Sequence, residues 1–297
     1  MRLLVTGWQG QVARSLVEVA ATRPEVTALA IGRPALDLCV HPSILRTLAD
    51  NAPDVVINTA AYTAVDKAES DAEAAFALNR DGAGLLASAA AARGIPIIHI
   101  STDYVFDGAK PTPYVESDAP APLNVYGRSK LAGEEAVAAA NPRHVILRTA
   151  WVHSPFGANF VKTMLRLAAS RPRIEVVDDQ HGTPTYAPHL AAVIIDVAHA
   201  LVRGGEGAVA SGIYHATAAG GTTWCGLARE IFACSADLGG PKAEVAPIPT
   251  SGYPTPARRP ARSLLDSSKL ARTFGCRLPD WERGVRACVE RLLVAGA

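Results

Sequence analysis

Short apolar runs alternate with helical patterns through the first half of this 297-residue chain. Five of these runs predict β-strands, at residues 2–6, 26–31, 54–60, 95–102 and 144–150. Apolar strands that are separated by helices are typical of parallel βαβ units, in which helices cover both faces of the sheet. We therefore predict an α/β fold with a doubly wound parallel sheet over residues 1–150.

The second half of the chain has a different pattern. After Trp151 proline and glycine become frequent, the apolar runs shorten, and helices are predicted at 160–170, 188–203, 223–234 and 281–295. We predict a smaller, loop-rich substrate-binding subdomain over residues 151–297, with some segments returning to the first domain. A cleft between the two parts is the expected ligand site.

Composition narrows the classes of partner. A formal net charge of +1 argues against nucleic acid or a membrane surface as a partner, and the apolar stretch 189–202 is too short to span a bilayer. The start of the chain does not resemble a signal peptide. The five cysteines form no C-x-x-C pair, and the histidines lack metal-ligand spacing. These features predict a cytoplasmic protein with reduced thiols and no bound metal.

The segment "TGWQGQVA" follows the first predicted strand and opens the first predicted helix. Gly7, Gly10 and Ala13 form a G-x-x-G-x-x-A pattern there. Glycines at these positions permit a tight turn and close backbone approach to a pyrophosphate, which the helix N-terminus attracts. In this context we interpret the pattern as a dinucleotide site rather than an ordinary tight turn between strand and helix.

The end of the second strand discriminates between nicotinamide cofactors. An acid there would bind the ribose hydroxyls of NAD. This chain has Gly32 at that position, followed by Arg33, which can pair with a 2′-phosphate. The sequence therefore favours NADPH, with NADH possible, unless Arg33 is only a solvated charge in a loop.

Tyr126 and Lys130 occur in "NVYGRSK", four positions apart on a predicted helix. Residues with this spacing share one helix face. A neighbouring ammonium favours the phenolate, so we expect the pKa of Tyr126 to lie below its usual ~10. A phenol of this kind is a general acid or base. The same spacing also arises by chance on solvated helices.

Six segments together resemble the dTDP-4-dehydrorhamnose reductase family within the extended short-chain dehydrogenase/reductase superfamily, whose domain is of the Rossmann type. The resemblance covers nearly the whole chain. The segments are "NTAAYTAVDKAE" (58–69), "ISTDYVFDG" (100–108), "NVYGRSKLAGE" (124–134), "LRTAWVHSPFGANFV" (147–161), "DDQHGTPTYA" (178–187) and "RRPARSLLD" (258–266). The resemblance implies NAD(P)H-dependent reduction of the 4-keto group of dTDP-4-dehydro-β-L-rhamnose, the last step of dTDP-L-rhamnose biosynthesis.

The resemblance also implies roles for individual residues. Tyr126 would donate the proton, Lys130 would hold the nicotinamide ribose, and Thr102 would hydrogen-bond the substrate carbonyl. Asp103, Trp151 and Arg259 would contact the substrate. The implied cofactor contacts, beside Tyr126 and Lys130, are Gly7, Gly10, Gln11, Val12, Arg33, Asp37, Leu38, Ala61, Tyr62 and Thr63.

Alternatives stay open at this point. An epimerase or dehydratase of nucleotide sugars would have the same framework, although an acid would then be expected at position 32. A non-catalytic relative, resembling the regulatory subunit of methionine adenosyltransferase, would not need Tyr126 or Lys130. Some family members bind a metal at a dimer contact near the first helix, where this chain has Ser15. We therefore predict a monomer or a homodimer without a bridging metal.

Overall fold

The computed structural model describes residues 1–204 and 211–294. The strands are β1 (Arg2–Thr6), β2 (Thr27–Ile31), β3 (Val55–Asn58), β4 (Ile97–Thr102), β5 (His144–Thr149), β6 (Val152–His153), β7 (Arg173–Val177), β8 (His181–Gly182), β9 (Thr185–Tyr186), β10 (Gly212–His215), β11 (Thr222–Thr223) and β12 (Glu244–Ile248).

The α-helices are α1 (Gln11–Ala20), α2 (His41–Asn51), α3 (Val65–Ala68), α4 (Ala72–Phe76), α5 (Ala83–Ala91), α6 (Val125–Ala140), α7 (Phe160–Ala168), α8 (Ala187–Arg203), α9 (Trp224–Asp237), α10 (Ser268–Phe274) and α11 (Trp281–Val294). A π-helical segment, Ala77–Gly82, joins α4 to α5. Short 3₁₀ turns lie at Asp103–Val105 and Thr250–Gly252.

The predicted parallel sheet is confirmed. Across the described ranges it has six strands in the order β10-β5-β4-β3-β1-β2, and every neighbouring pair is parallel. Alternate residues of a strand point to opposite faces, so Leu3 and Val5 pack with α1 and α8, whereas Leu4 packs with α2 and α5. Both faces are thereby covered, as in a doubly wound fold.

The chain after residue 150 contributes to this sheet and also forms a core of its own. Strand β10 pairs with β5, and α8 packs against α1. A second apolar cluster joins α7, α9 and α11 to the β7–β12 pair, and its fully buried members include Val161, Ile231 and Val285. The division at residue 150 stays a prediction.

Some helices differ from those predicted. Helices α2 and α10 were not predicted, and the long helix predicted at 71–93 is interrupted by the π-helical segment. The last predicted helix begins at Trp281 as expected; its predicted final residue, Ala295, lies outside the described residues. No helix within 1–204 or 211–294 has both the length and the apolar character that crossing a bilayer requires.

Candidate active site

A cavity of about 1070 Å³ lies at the carboxyl ends of the parallel strands, where ligands of open α/β sheets bind. Its wall contains every predicted site residue except Arg259. These are Gly7, Gly10, Gln11, Val12, Arg33, Asp37, Leu38, Ala61, Tyr62, Thr63, Thr102, Asp103, Tyr126, Lys130 and Trp151. The topology therefore brings together segments that are distant in sequence.

The glycine turn has the shape that phosphate binding needs. Gly7 has a φ of +84°, in the left-handed region, and a Cβ there would lie 3.2 Å from the Ala60 Cα. Its N–H donates to the carbonyl of Ile31 (2.9 Å), which holds the turn beside the end of β2. Helix α1 begins after Gly10 without a side-chain cap. Its first N–H groups are therefore available to an anion.

Gln11 connects this turn to the second half of the chain. Its Nε2 donates to the carbonyl of Val152 (3.2 Å), and its Oε1 accepts from Ser154 Oγ (2.8 Å) and Asn159 Nδ2 (2.9 Å). The side chain is thus committed to protein contacts, and it is the backbone of Gln11 that is suited to a pyrophosphate. No local sequence pattern indicates this link.

At the far end of the cavity the side chain of Arg33 is exposed, next to Gly32. The other charged residue predicted here, Asp37, accepts a hydrogen bond from the N–H of Cys39 (2.9 Å) and so caps its own turn. Leu38 is buried beside it. The end of β2 therefore presents an arginine and no strand-end carboxylate.

The loop after β3 is held in place by Asn79, which the sequence reading missed. Asn79 Oδ1 accepts from the N–H of Tyr62 (2.7 Å), and its Nδ2 donates to the Tyr62 carbonyl (3.1 Å) and to Ser129 Oγ (2.8 Å). The loop that contains Ala61 and Thr63 is thereby fixed to α6. Asn79 lies in the π-helical segment, whose geometry places its side chain towards this loop.

Thr102 ends β4, and Tyr126 and Lys130 lie on α6. The hydroxyl of Thr102 donates to Asp103 Oδ1 (3.1 Å) and accepts from the N–H of Tyr104 (3.2 Å), and it lies near enough to the phenol of Tyr126 to lower its pKa. Lys130 is buried, and its Nζ donates to the carbonyl of Ile100 (2.7 Å) and lies 3.4 Å from His99 Nε2. The three predicted catalytic side chains therefore line the same cavity.

The prediction that the pKa of Tyr126 lies below its usual ~10 is wrong. Burial raises the pKa of Tyr126 to about 12; the Thr102 hydrogen bond lowers it and the charge of Asp103 raises it. Lys130 is not among the groups that shift it. Burial also lowers the pKa of Lys130, to about 8, while the charge of Glu134 raises it. Desolvation therefore outweighs the attraction that the four-residue spacing suggested.

Asp103 is a buried carboxyl group at the same edge of the cavity. Burial raises its pKa to about 7, although hydrogen bonds from Ser263 and Thr102 lower it. Within the described ranges its Oδ2 has no hydrogen-bond partner. This buried carboxyl group therefore has one oxygen without a partner and can carry or release a proton near neutral pH.

Comparison with known proteins places the chain in a family. The sequence profile of the family described as "RmlD substrate binding domain" matches residues 1–294. The dTDP-4-dehydrorhamnose reductase of Sinorhizobium fredii is 50% identical over 296 residues, which cover 100% of this chain and 99% of that protein. This chain belongs to the dTDP-4-dehydrorhamnose reductase family.

Solved structures of the same family have the same fold. The dTDP-4-dehydrorhamnose reductase of Clostridium acetobutylicum superposes with a TM-score of 0.91 at 35% identity, covering 99% of this chain and 100% of that one. The Bacillus anthracis reductase, solved in complex with NADP, superposes with a TM-score of 0.89 at 34% identity, covering 99% of each chain. The resemblance found in the sequence and the Rossmann-type fold are both confirmed.

In this member of the reductase family, Trp151 stands in an aromatic stack. Its indole lies flat against that of Trp224, with ring centroids 3.6 Å apart and planes 6° from parallel. A Cβ at Gly182 would lie 2.4 Å from the same indole, and the φ of Trp151 is +45°. The stack fixes the ring at the cavity wall despite an unfavourable backbone conformation. No sequence pattern marks Trp224 as part of this site.

The structure does not bring Arg259 to the cavity wall. Its guanidinium pairs with Asp66, with Nη2 to Oδ2 at 2.8 Å and Nη1 to Oδ1 at 3.1 Å. It also donates to Thr255 Oγ1 and the Ala257 carbonyl. The pairing lowers the pKa of Asp66. Arg259 therefore joins the proline-rich loop to α3 in this conformation, rather than standing free for a diphosphate.

No group of three or more histidine, cysteine, aspartate or glutamate side chains is arranged to hold a metal ion in the parts of the chain that the structure describes. Ser15, in the region where some relatives have acids, is buried and donates to the Gln11 carbonyl (2.8 Å). Its hydroxyl is therefore engaged within α1.

Proposed function

We propose that this enzyme uses NADPH to reduce the 4-keto group of dTDP-4-dehydro-β-L-rhamnose, giving dTDP-β-L-rhamnose in the last step of dTDP-L-rhamnose biosynthesis. The observation that carries this proposal is the meeting of Thr102, Tyr126 and Lys130 in one cavity. It occurs in a chain that matches reductases of that name over its full length.

The residues at the strand ends fit a dinucleotide. Gly7 adopts the left-handed turn, and the uncapped N-terminus of α1 would hold the pyrophosphate. Arg33 would pair with the 2′-phosphate, and Ala61, Tyr62 and Thr63 would line the remainder of the cofactor path. NADPH supplies the hydride when it is bound. The Bacillus anthracis relative was solved with NADP, which supports NADPH over NADH.

Tyr126 is suited to donate a proton to the substrate oxygen. With a pKa of about 12 the phenol stays protonated at neutral pH, which is the form that reduction requires. Thr102 would supply the second donor at the oxygen on which negative charge develops, by turning its hydroxyl from Asp103 Oδ1 to that oxygen. Asp103 would bind a sugar hydroxyl with its unpaired Oδ2.

Lys130 would act through position and charge rather than by lowering the phenol pKa. Its ammonium donates to the Ile100 carbonyl, and the residue itself lies one helical turn after Tyr126 on α6. It would hold the nicotinamide ribose by hydrogen bonding. Trp151 would pack against the substrate from the opposite side of the cleft. Arg259 would bind the diphosphate only if its guanidinium first released the carboxylate of Asp66.

The test is a turnover assay with purified protein, NADPH and dTDP-4-dehydro-β-L-rhamnose. Loss of NADPH absorbance should match, mole for mole, the appearance of dTDP-β-L-rhamnose by liquid chromatography and mass spectrometry. An epimerase or dehydratase would convert the sugar without net consumption of NADPH. A regulatory protein would convert nothing. Either outcome would overturn the proposal.

We also propose that the enzyme works in the cytoplasm as a monomer or homodimer. Support comes from its cysteines: Cys39, Cys225, Cys234, Cys276 and Cys288 are all free thiols, as expected in a reducing compartment. Light scattering on the eluted protein would give the mass in solution. A larger assembly would contradict the proposed oligomeric state, and recovery of the enzyme from an oxidising compartment would contradict the proposed location.

A further inference from the structure

Trp8 is a large aromatic residue that the proposed reaction does not use. It lies in the glycine turn between β1 and α1, its side chain is 49% exposed, and it lines the same end of the cavity as Gly32 and Arg33. The indole therefore stands where the ribose 2′ group of the proposed cofactor is expected.

The indole lies directly over Gly32. A Cβ at Gly32 would come within 2.4 Å of Trp8 Cδ1 and 3.2 Å of Trp8 Nε1. The φ of Gly32 is outside the left-handed region, so the backbone itself does not require glycine there. The hydrogen bond from the Gly7 N–H to the Ile31 carbonyl fixes the turn beside this strand end. The space that a side chain at position 32 needs is therefore occupied by Trp8.

Position 32 is also where dinucleotide-binding folds place the acid that holds the ribose hydroxyls of NAD. We infer that Trp8 is a cofactor-specificity residue, whose indole excludes a carboxylate side chain from position 32 and leaves Arg33 beside the ribose 2′ position. The inference rests on the proposed use of NADPH. It adds that the preference depends on a pair of residues, Trp8 and Gly32, besides the arginine.

A double-mutant cycle tests this coupling, since residues in contact have non-additive effects. Gly32→Ala and Gly32→Asp are each made in the wild-type and the Trp8→Ala background, and the dissociation constants of NADPH and NADH are measured by calorimetry. Gly32→Ala should weaken NADPH binding about tenfold in the wild-type background and less than about twofold when Trp8 is alanine. Gly32→Asp should bind NADH about tenfold more tightly when Trp8 is alanine than when it is tryptophan.

Two controls separate this effect from general damage. Gly252→Ala is the matched control, because its added Cβ would meet no atom closer than 3.6 Å and it lies outside the cavity wall. Its binding constants should equal those of the wild type. Circular dichroism melting of each variant identifies those that fail to fold, and the Gly32→Ala pair then provides the cycle even where Gly32→Asp does not fold.

Equal effects of the Gly32 substitutions in both backgrounds would overturn the inference. Turnover of the sugar nucleotide is measured separately on the wild type. Normal turnover together with additive binding effects would contradict the proposed role of Trp8 and leave the proposed reaction standing. Cofactor binding with the expected coupling but no turnover would remove the proposed reaction and leave the inference standing. A wild type that binds neither cofactor would remove both.

Discussion

Replacing Glu134 by glutamine should destabilise the enzyme strongly, because Glu134 is the counter-charge of a buried arginine. Its carboxylate accepts from Arg148 Nε (2.9 Å) and Nη2 (2.6 Å), and the two side chains are only 2% and 1% exposed. Oε1 also accepts from Ser101 Oγ (2.5 Å). Glutamine keeps the shape but removes the charge and turns an N–H donor towards other donors.

The expected loss follows from the cost of an uncompensated buried charge. Removing one partner of a buried ion pair typically costs ~3–5 kcal/mol. For a chain of this length, each kcal/mol lowers the melting temperature by about 2 °C. Glu134→Gln should therefore melt roughly 6–10 °C below the wild type. Arg148 Nη1 already lacks a hydrogen-bond partner in the described structure. Without the carboxylate of Glu134, the buried positive charge of the guanidinium would therefore have no counter-charge.

Differential scanning calorimetry of the cofactor-free protein at neutral pH measures this loss. The double variant Glu134→Leu with Arg148→Met removes both charges and should recover much of the stability. Asp81→Asn is the matched control, since it breaks a half-exposed pair with Arg80 and should cost less than about 1 kcal/mol. A Glu134→Gln protein that melts within about 2 °C of the wild type would refute the reasoning.

Three further predictions concern turnover, cofactor choice and acid stability. Tyr126→Phe should lower turnover by ~10²–10⁴ in steady-state assays while NADPH still binds in calorimetry; undiminished turnover would exclude the phenol as proton donor. Arg33→Ala should reduce the preference for NADPH over NADH by roughly ten- to a hundredfold in calorimetric titrations, and equal affinities in the wild type would contradict this. Burial lowers the pKa of His153 to about 4 and that of His215 to about 3. As the pH falls below about 6.5, these histidines are therefore protonated in the unfolded chain but stay neutral in the folded protein. The melting temperature should therefore fall from pH 6.5 to pH 4, and a flat profile would exclude this linkage.

The sheet could be predicted from the sequence because its strands are apolar on both faces. The helix α2 could not, since two of its four buried residues, Ser43 and Thr47, are polar and hide the apolar stripe of Ile44 and Leu48. Helix α10 has only seven residues, too few to show a period. Local patterns therefore predicted the helices and strands whose buried residues are apolar. They did not predict helices that are very short or that bury polar residues as well as apolar ones.

The cavity wall could be predicted largely because parallel strands end at one edge. What the sequence could not supply was the contact between distant residues. Asn79 fixes the loop at Tyr62 from within a π-helical segment, and Asp66 pairs with Arg259 across 193 positions. Neither partner is visible in a local pattern, because each depends on how the loops close over the sheet.

Contacts between distant residues also explain why the pKa of Tyr126 could not be predicted from the spacing of Tyr126 and Lys130. The spacing places Lys130 one helical turn away, but the fold directs its ammonium to the Ile100 carbonyl. Burial of the phenol, which no spacing reveals, then dominates and raises the pKa. A phenol that holds its proton at neutral pH remains a competent donor to an oxygen on which charge develops. The correction therefore changes how Lys130 contributes, through position and charge, and leaves the proposed direction of proton transfer from Tyr126 unchanged.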